Sequence, residues 1–349
     1  MLEEKRTEIS SSIGNIAPIE EKADGKKAKK NSSIKRIGYF LGRTLTNFTL
    51  ALARRLPLTW LYRLSALMGW LGFSLMAKRR KIVYHNLQMA FGSSEGRDGY
   101  RAIAKATFCD SVKNALEVAK LIFSGPSYIK GIMSIEGLEH LERALGQGRG
   151  VVAVSAHMGN FPLIGPRLIA EGYRFSLLLR DPKDTILAAT LADLRKGLGL
   201  ESIPVHPSRT CIAESLKCLK RNGILYLQID QNASSRDLWV DFFGWEVPTF
   251  KGPVVFSMRT GAPLIPLFTV RDAPDHHMLI IAPPFKIEDT GDRDQDILIT
   301  TAKLTRLIES YIRQYPAQWW WFHRRWKKAR RCNEQPLSAA DCTIPPCIH

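Results

Sequence analysis

The sequence predicts an α/β fold in which a mostly parallel sheet is flanked by helices and preceded by a membrane-associated helical segment. Short β-rich apolar runs recur after residue 149, and stretches of helical length separate most of them. This alternation is typical of βαβ units. The predicted strands cover residues 150–155, 174–179, 223–230, 263–270 and 278–282. The predicted helices cover residues 163–170, 185–198, 210–220 and 294–314.

The last predicted helix has one apolar face, which indicates that it packs against the sheet. The residues of that face are Ile297, Leu298, Thr301, Leu304, Ile308, Tyr311 and Ile312.

The composition indicates a globular chain with an anionic partner. The 349 residues are 45% hydrophobic, which is enough to bury a large core. The 50 Lys and Arg residues exceed the 33 Asp and Glu residues by 17, so an anionic membrane surface, an acidic carrier or nucleic acid is favoured as partner. No RNP-like or helix-turn-helix pattern is present, and nucleic acid is therefore disfavoured. The six cysteines show no metal-ligand spacing and are predicted to be reduced thiols.

Changes in composition divide the chain into four segments. Residues 1–33 are polar and Lys-rich, which predicts a disordered leader, and residues 332–349 predict a disordered tail. Residues 34–81 are apolar between basic clusters, which predicts a membrane-anchoring segment that lies in the inner leaflet or forms a shallow hairpin. A core helix pair of a soluble domain is the alternative for this segment. Residues 82–331 form the remaining domain.

The stretch SAHMGNFPLIG, residues 155–165, places His157 after a predicted strand. Catalytic groups of α/β proteins cluster at the carboxyl ends of strands, and an imidazole can take a proton near neutral pH. A solvated or structurally bonded histidine is the alternative. Gly159 permits close approach of the backbone, and Asn160 is a good N-cap for the helix that follows.

Several sequence blocks resemble the bacterial lipid A biosynthesis acyltransferases, a lauroyl/myristoyl transferase family within the lysophospholipid acyltransferase superfamily. The block GRGVVAVSAHMGNFPL resembles the first motif of that family, and the similarity runs from about residue 40 to 330. The other blocks are RRKIVYHNLQMAFG (79–92), SIEGLEHLERALGQGRG (134–150), LYLQIDQNASSRDLWVDFFGWEVPTFKGP (225–253), RTGAPLIPLF (259–268) and YPAQWWWFHRRWKK (315–328).

The resemblance implies a glycerolipid-acyltransferase-like enzyme at the cytoplasmic face of the bacterial inner membrane. Such an enzyme moves a fatty acyl chain from acyl carrier protein, or from a coenzyme A thioester, to a hydroxyl of a lipid A precursor, and it needs no cofactor beyond that co-substrate. In the family pattern His-x-x-x-x-Asp/Glu, the histidine is the general base and the carboxylate orients it. His157 occupies the histidine position, whereas Pro162 occupies the acid position.

The sequence offers a substitute for the missing acid. Asp230 ends the predicted strand at 223–230, and parallel strands bring their carboxyl ends to one edge, so its carboxylate is a candidate partner for His157. A hydrogen-bonded turn residue is the alternative role for Asp230. Asp181 and Asp184 are weaker candidates.

Further residues are predicted to bind substrate, each with a structural alternative. Arg180 aligns with a basic residue of the family's second motif, and an ion pair with Asp181 or Asp184 is the alternative. Phe243 and Gly244 are assigned to an acyl groove or to the membrane interface, with plain core as the alternative. The remaining predicted substrate-binding residues are Gly159, Asn160, Arg324 and Arg325.

Two other functions remain open from the sequence. The acceptor can be a lysophospholipid or another lipid instead of a lipid A precursor. Because Pro162 replaces the motif acid, the chain can also be a catalytically silent homologue that binds lipid or carrier.

Overall fold

The computed structural model describes residues 25–92 and 96–331, which form parts of two compact units, Met1–Leu45 and Thr46–His349. The first helix begins at Gly25, inside the segment predicted as a leader. The rest of that leader and the predicted tail at 332–349 lie outside the described residues.

The first helix begins in the first unit and ends in the second, and all the other described elements belong to the second unit. The described helices are α1 (Gly25–Arg55), α2 (Leu58–Leu75), α3 (Ala77–Phe91), α4 (Gly96–Ser124), α5 (Pro126–Ile132), α6 (Leu138–Leu145), α7 (Ile164–Ala170), α8 (Thr185–Gly197), α9 (Ser208–Lys220), α10 (Gly252–Thr260) and α11 (Arg293–Gln314). The strands are β1 (Met133–Glu136), β2 (Val151–Ser155), β3 (Phe175–Leu179), β4 (Glu201–Pro204), β5 (Ile224–Gln228), β6 (Leu238–Phe242), β7 (Trp245–Thr249), β8 (Leu264–Ala273), β9 (His276–Ile281) and β10 (Arg330–Arg331).

The main sheet has seven strands in the order β1-β9-β8-β2-β5-β3-β4. Every neighbouring pair is parallel except β8 and β9, which form an antiparallel hairpin. The predicted α/β class with a mostly parallel sheet is therefore confirmed. Strands β1 and β4 were not predicted, since each has only four residues and no clear periodicity.

Each face of the main sheet packs against its own hydrophobic core. In β2, Val152 and Val154 contribute to one core, whereas Val151 and Ala153 contribute to the other. All five residues of β2 are buried, as expected for a central parallel strand covered by helices on both faces.

A second sheet consists of β10, β7 and β6 in that order, all antiparallel. Phe243 and Gly244 connect β6 to β7 with φ values of 56° and 75°. Two consecutive positive φ values are those of a type I′ hairpin turn, whose twist matches that of the strands.

Helix α2 packs against α4 through a narrow stripe of side chains. Leu61, Ser65, Gly69 and Phe73 are buried at a spacing of four residues. A Cβ atom on Gly69 would overlap the backbone of Cys109, so the glycine lets the two helices approach closely. Trp60, Leu67, Trp70, Leu71 and Leu75 of α2 are exposed.

Within residues 25–92 and 96–331, no helix combines the length and the apolar character that crossing a bilayer requires. The membrane-anchoring role of residues 34–81 stays a prediction.

Candidate active site

The carboxyl ends of β2 and β5 bring two sequence-distant loops together. The strands are adjacent and parallel, and Ser155 pairs in register with Gln228. Each strand ends two residues before a polar side chain, His157 in one loop and Asp230 in the other. The two side chains therefore leave the sheet at the same edge, as the strand prediction implied.

His157 and Asp230 make two hydrogen bonds with each other. The imidazole Nδ1 lies 2.8 Å from Asp230 Oδ1, and the backbone N–H of His157 donates to Oδ2 at 2.9 Å. A carboxylate can only accept in this geometry, so the ring carries its proton on Nδ1. The lone pair of Nε2 is then available to a substrate hydroxyl.

The Asp230 carboxylate is buried but stays ionised. Its side chain is 1% exposed. Burial alone would raise the pKa of Asp230, but the charge and hydrogen bonds of His157 and the indole N–H of Trp319 outweigh it and lower that pKa below its usual range. Trp319 Nε1 donates to Oδ2 at 2.8 Å. A fixed negative charge therefore stands behind the imidazole.

The His157 ring reaches solvent on one side. Its side chain is 19% exposed, and the Phe161 ring packs edge-on against it at 4.8 Å between centroids. His323 lies close by, and burial lowers the pKa of His323 to about 4. At neutral pH His323 is uncharged, so it does not oppose protonation of His157.

The segment after α11 fixes the backbone of the His157 loop. Trp320 N donates to His157 O, and Gly159 N donates to Gln318 O, both at 2.9 Å. Gly159 has a φ of 55°, and a Cβ there would overlap the carbonyl oxygen of Thr269. The close backbone approach that the sequence predicted at Gly159 is therefore made to strand β8.

A buried polar cluster around Glu117 of α4 supports the same loop. The Glu117 side chain is fully buried. Arg271 makes a bidentate ion pair with Glu117, with both N–O distances at 2.8 Å. His277, Asn160 and Tyr62 also donate to this carboxylate, at 2.9, 2.8 and 2.8 Å.

Asn160 occupies the predicted N-cap position, before the 3-10 helix Phe161–Leu163, but its side chain neither caps that helix nor faces substrate. Its side chain makes no capping hydrogen bond, and its amide donates to Glu117 and to the backbone oxygen of Asn114. Asn114 Nδ2 in turn donates to Gly159 O at 2.9 Å. Asn160 is 0% exposed, so the assignment of Asn160 to substrate binding is corrected to a role in holding the loop.

The Glu117 cluster keeps its charges matched. Burial alone would raise the pKa of Glu117, but hydrogen bonds from His277 and Arg271 outweigh it and hold that pKa far below its usual range. Burial lowers the pKa of His277, so this imidazole is neutral and donates through Nε2. The cluster therefore contains one carboxylate and one guanidinium.

The other acids near the predicted site are engaged elsewhere. Asp181 pairs with Arg195 at 2.6 Å. Asp184 caps α8, where it accepts from Ile186 N and Leu187 N. Arg180 follows β3 at the same edge of the sheet. Two strand spacings, about 10 Å, separate β3 from β2. Arg180 is exposed and lies 2.9 Å from His206 Nε2, so neither acid is its partner.

Arg325 and Arg324 have opposite surroundings. Arg325 is 0% exposed and donates to Gln231 O, Pro248 O and Thr249 Oγ1. Burial lowers its pKa to about 10. The assignment of Arg325 to substrate binding is therefore corrected to a structural role, since protein acceptors and the core surround it. Arg324 is exposed and remains a candidate.

Phe243 and Gly244 form a hairpin tip and not an acyl groove. Phe243 is 6% exposed and packs against Phe91, Phe242 and Trp326. Its side chain is core, which was the alternative given for it. Gly244 donates its N–H to Asp241 Oδ1 within the turn. Both substrate-binding assignments are corrected accordingly.

An apolar cavity of about 190 Å³ is walled in part by Phe161, whose ring packs against His157. Its wall includes Phe161 and Pro162, which follow His157 along the chain, together with Phe175, Leu177 and Leu200. Gln228 also lines it and donates to Ala156 O at 3.1 Å. Pro162 sits in the first turn of the 3-10 helix Phe161–Leu163, where a proline is well tolerated.

The sequence predicted the dyad partners but missed two groups that hold them. Trp319 was noted only within an aromatic and basic stretch, and Glu117 was not singled out. A glutamate inside the otherwise mixed helix α4 was an available signal, since a buried carboxylate needs partners.

The structure is thus that of an α/β protein with a histidine–aspartate pair at the carboxyl edge of a mostly parallel sheet. The chain belongs to the bacterial lipid A biosynthesis acyltransferase family, whose model matches residues 26–328.

The chain is similar to two lipid A transferases of Escherichia coli strain K12. It is 27% identical to the lipid A biosynthesis lauroyltransferase over 277 residues, which cover 78% of this chain and 87% of the relative. It is 25% identical to the palmitoleoyltransferase over 276 residues, with the same two coverages of 78% and 87%.

A third relative is the phosphatidylinositol mannoside acyltransferase of Mycobacterium tuberculosis H37Rv. The identity is 31% over 133 residues, which cover 38% of this chain and 42% of the relative.

Replacing Glu117 by Gln is expected to lower the free energy of unfolding by about 3 kcal/mol, because Arg271 is left buried without its counter-charge. Urea denaturation at pH 7.5 measures the change. Glu288→Gln is the matched control, since Glu288 pairs with Lys303 in a partly exposed position and is expected to cost about 1 kcal/mol or less. Equal losses in the two variants would contradict the role of the Glu117 cluster.

Proposed function

We propose that the protein transfers a fatty acyl chain from an acyl carrier protein thioester, or from acyl coenzyme A, to a hydroxyl of a lipid A precursor. His157 is the general base, and Asp230 orients and stabilises it. The observation that carries this proposal is the contact between His157 Nδ1 and the buried carboxylate of Asp230. Membership of the acyltransferase family supports the reaction type.

The proposed step needs only the groups of the dyad and the two substrates. His157 Nε2 takes the proton of the acceptor hydroxyl while the oxygen attacks the thioester carbonyl and forms the new C–O bond. The tetrahedral intermediate then expels the thiolate as the C–S bond breaks. The thiolate receives the proton from the imidazolium, which returns the base to its neutral form. Asp230 stays ionised and stabilises the imidazolium throughout.

The apolar cavity beside Phe161 and Pro162 supports an acyl substrate. Its wall consists mainly of aliphatic and aromatic side chains, and a hydrocarbon chain gains free energy by leaving water for such a wall. We assign this cavity to the acyl chain of the donor.

A different lipid acceptor is the second candidate. The similarity to a phosphatidylinositol mannoside acyltransferase favours it, because that relative's name gives a non-lipid A acceptor. A catalytically silent homologue gains no support from the site, since the dyad is complete without an acid at position 162. Turnover measured with lipid A precursors and with lysophospholipids discriminates these functions, and no turnover with any acceptor would favour the silent homologue.

Removing either member of the dyad is expected to abolish most of the activity. His157→Ala removes the base, and Asp230→Asn removes the charge that supports it, so we expect a fall in kcat of about 10²–10⁴-fold for each. Release of thiol from the acyl donor measures the rate.

The Asp272–His276 pair provides a matched control for the dyad, because its Oδ1–Nδ1 distance is also 2.8 Å but the pair lies at the surface. Asp272→Asn and His276→Ala are expected to leave kcat within about twofold of the parent, as surface ion pairs contribute little. Unchanged turnover in Asp230→Asn would remove Asp230 from the mechanism.

Restoring an acid at the motif position is expected to reduce activity. Pro162 is exposed and also lines the apolar cavity, so the carboxylate of Pro162→Glu stays hydrated until an acyl chain enters the cavity and covers it. We expect kcat/KM to fall at least about tenfold, since taking a polar group out of water without new partners costs about 1–3 kcal/mol or more. Pro162→Ala is the control for the loss of the ring. A rate above that of the parent would mean that Asp230 leaves the base incompletely supported.

We further propose that helix α2 rests on the cytoplasmic surface of the inner membrane. One face of α2 packs against α4, while its other side exposes Trp60, Leu67 and Trp70 among other apolar residues. The exposed cations Lys78, Arg79 and Lys81 follow directly along the chain. Tryptophans beside cations suit the headgroup region of an anionic bilayer.

Binding to lipid vesicles tests this surface. The double variant Trp60→Ser/Trp70→Ser is expected to bind phosphatidylglycerol vesicles at least about tenfold more weakly in co-sedimentation. It loses the two exposed indole rings that the proposal buries in the bilayer interface. Ile186→Ser/Ile212→Ser removes exposed apolar side chains of α8 and α9 and is the control. Equal binding by both variants would place the membrane contact elsewhere.

A further inference from the structure

A basic cleft opens between α3 and residues 324–327, which follow the aromatic stretch QWWWF (318–322). It has a volume of about 300 Å³ and is lined by Lys81, Ile82, His85, Asn86, Arg324 and Lys327. Its lining contains no carboxylate from the part of the chain that the structure describes. Lys81 and His85 are one turn apart on α3 and therefore share a helix face.

The basic side chains of the cleft have no side-chain partner among residues 25–92 and 96–331. Lys81, His85, Arg324 and Lys327 are all exposed, and in the described part of the chain none of the four makes an ion pair or a side-chain hydrogen bond. Nearby cations differ: Lys328 donates to Ala233 O, and Arg325 has three acceptors. Cations gathered without counter-charges repel one another, and an anion in the cleft relieves that repulsion.

The cleft is built on the segment that also fixes the base. Asn86 is 1% exposed, and its amide donates to Trp321 O at 2.7 Å and to His323 O at 2.6 Å. Trp320, one residue before Trp321, donates its N–H to His157 O. His323 in turn responds to the charges of both Asp230 and His157 and therefore lies close to the dyad. The short segment from Trp320 to Arg324 therefore connects the loop of His157 with the lining of the cleft.

We infer that this cleft binds a phosphate group of a substrate, either a phosphate of the acceptor lipid or the phosphate of the donor's pantetheine arm. Arg324 matches two phosphate oxygens through its planar guanidinium, and Lys81 and Lys327 add point charges. The inference rests on the proposed acyl transfer, and it adds a phosphate as the part of the substrate that the cleft positions.

The test compares two double variants with equal loss of charge. Arg324→Gln/Lys327→Gln removes two cations of the cleft, whereas Arg209→Gln/Lys220→Gln removes two exposed cations of α9. Steady-state kinetics are measured for each variant with acyl carrier protein and coenzyme A thioesters, and with acceptors that carry or lack a phosphate. The binding of inorganic pyrophosphate to the cleft variant, the control and the parent is measured by calorimetry.

The cleft variant is expected to raise KM at least fivefold for one phosphorylated substrate while kcat stays within twofold, and the control is expected to match the parent. If the phosphate belongs to the acceptor, the dephosphorylated acceptor shows no difference between cleft variant and parent. If it belongs to the donor, the rise appears in the donor's KM with either acceptor.

Calorimetry separates failure of this inference from failure of the proposed reaction. Loss of pyrophosphate binding in the cleft variant alone supports the anion site even when no acceptor turns over. Unchanged KM values together with unchanged pyrophosphate binding would overturn the inference and leave the acyl-transfer proposal standing.

Discussion

The structure of the site depends on one buried carboxylate that has more donors than it has oxygens. Asp230 accepts from the backbone N–H and the imidazole of His157 and from the indole of Trp319. The donors come from two parts of the chain, the loop after β2 and the segment after α11, so the carboxylate joins the ends of β2 and β5 to that segment. Because charge-assisted hydrogen bonds are strong, the same contacts that keep Asp230 ionised also fix the position of the base.

A second buried carboxylate supports the opposite side of the same loop. Glu117 holds Asn160 directly, and Asn114 of the same helix holds the Gly159 carbonyl. Tyr62 of α2 donates to Glu117 as well. The helix that we assign to the membrane surface and the loop that carries the base therefore share one polar cluster. Its single ion pair, between Glu117 and Arg271, makes this a rigid support, since moving either partner would bury an unmatched charge.

Sequence patterns predicted five of the seven strands of the main sheet and the two members of the dyad. Alternating strands and helices indicate a mostly parallel sheet, whose strands bring their carboxyl ends to one edge. The strand order, which makes β2 and β5 neighbours, depends on contacts between distant segments and was not predicted. The errors at Asn160, Phe243 and Arg325 have one common cause. Polar or aromatic residues near a motif look available in sequence, whereas burial depends on contacts with distant segments such as α4 and α11. Propensity carries no information about those contacts.

In the proposed mechanism the acid comes from the loop after β5, which separates two tasks that the motif His-x-x-x-x-Asp/Glu combines in one short turn. The residue five positions after the histidine then does not have to be ionised, and here Pro162, which is exposed, adds apolar surface to the cavity wall instead. A carboxylate at that place would lose its water when an acyl chain covers it, and the chain offers no donors in return. With Asp230 as the partner of His157, position 162 is therefore free to contact hydrocarbon.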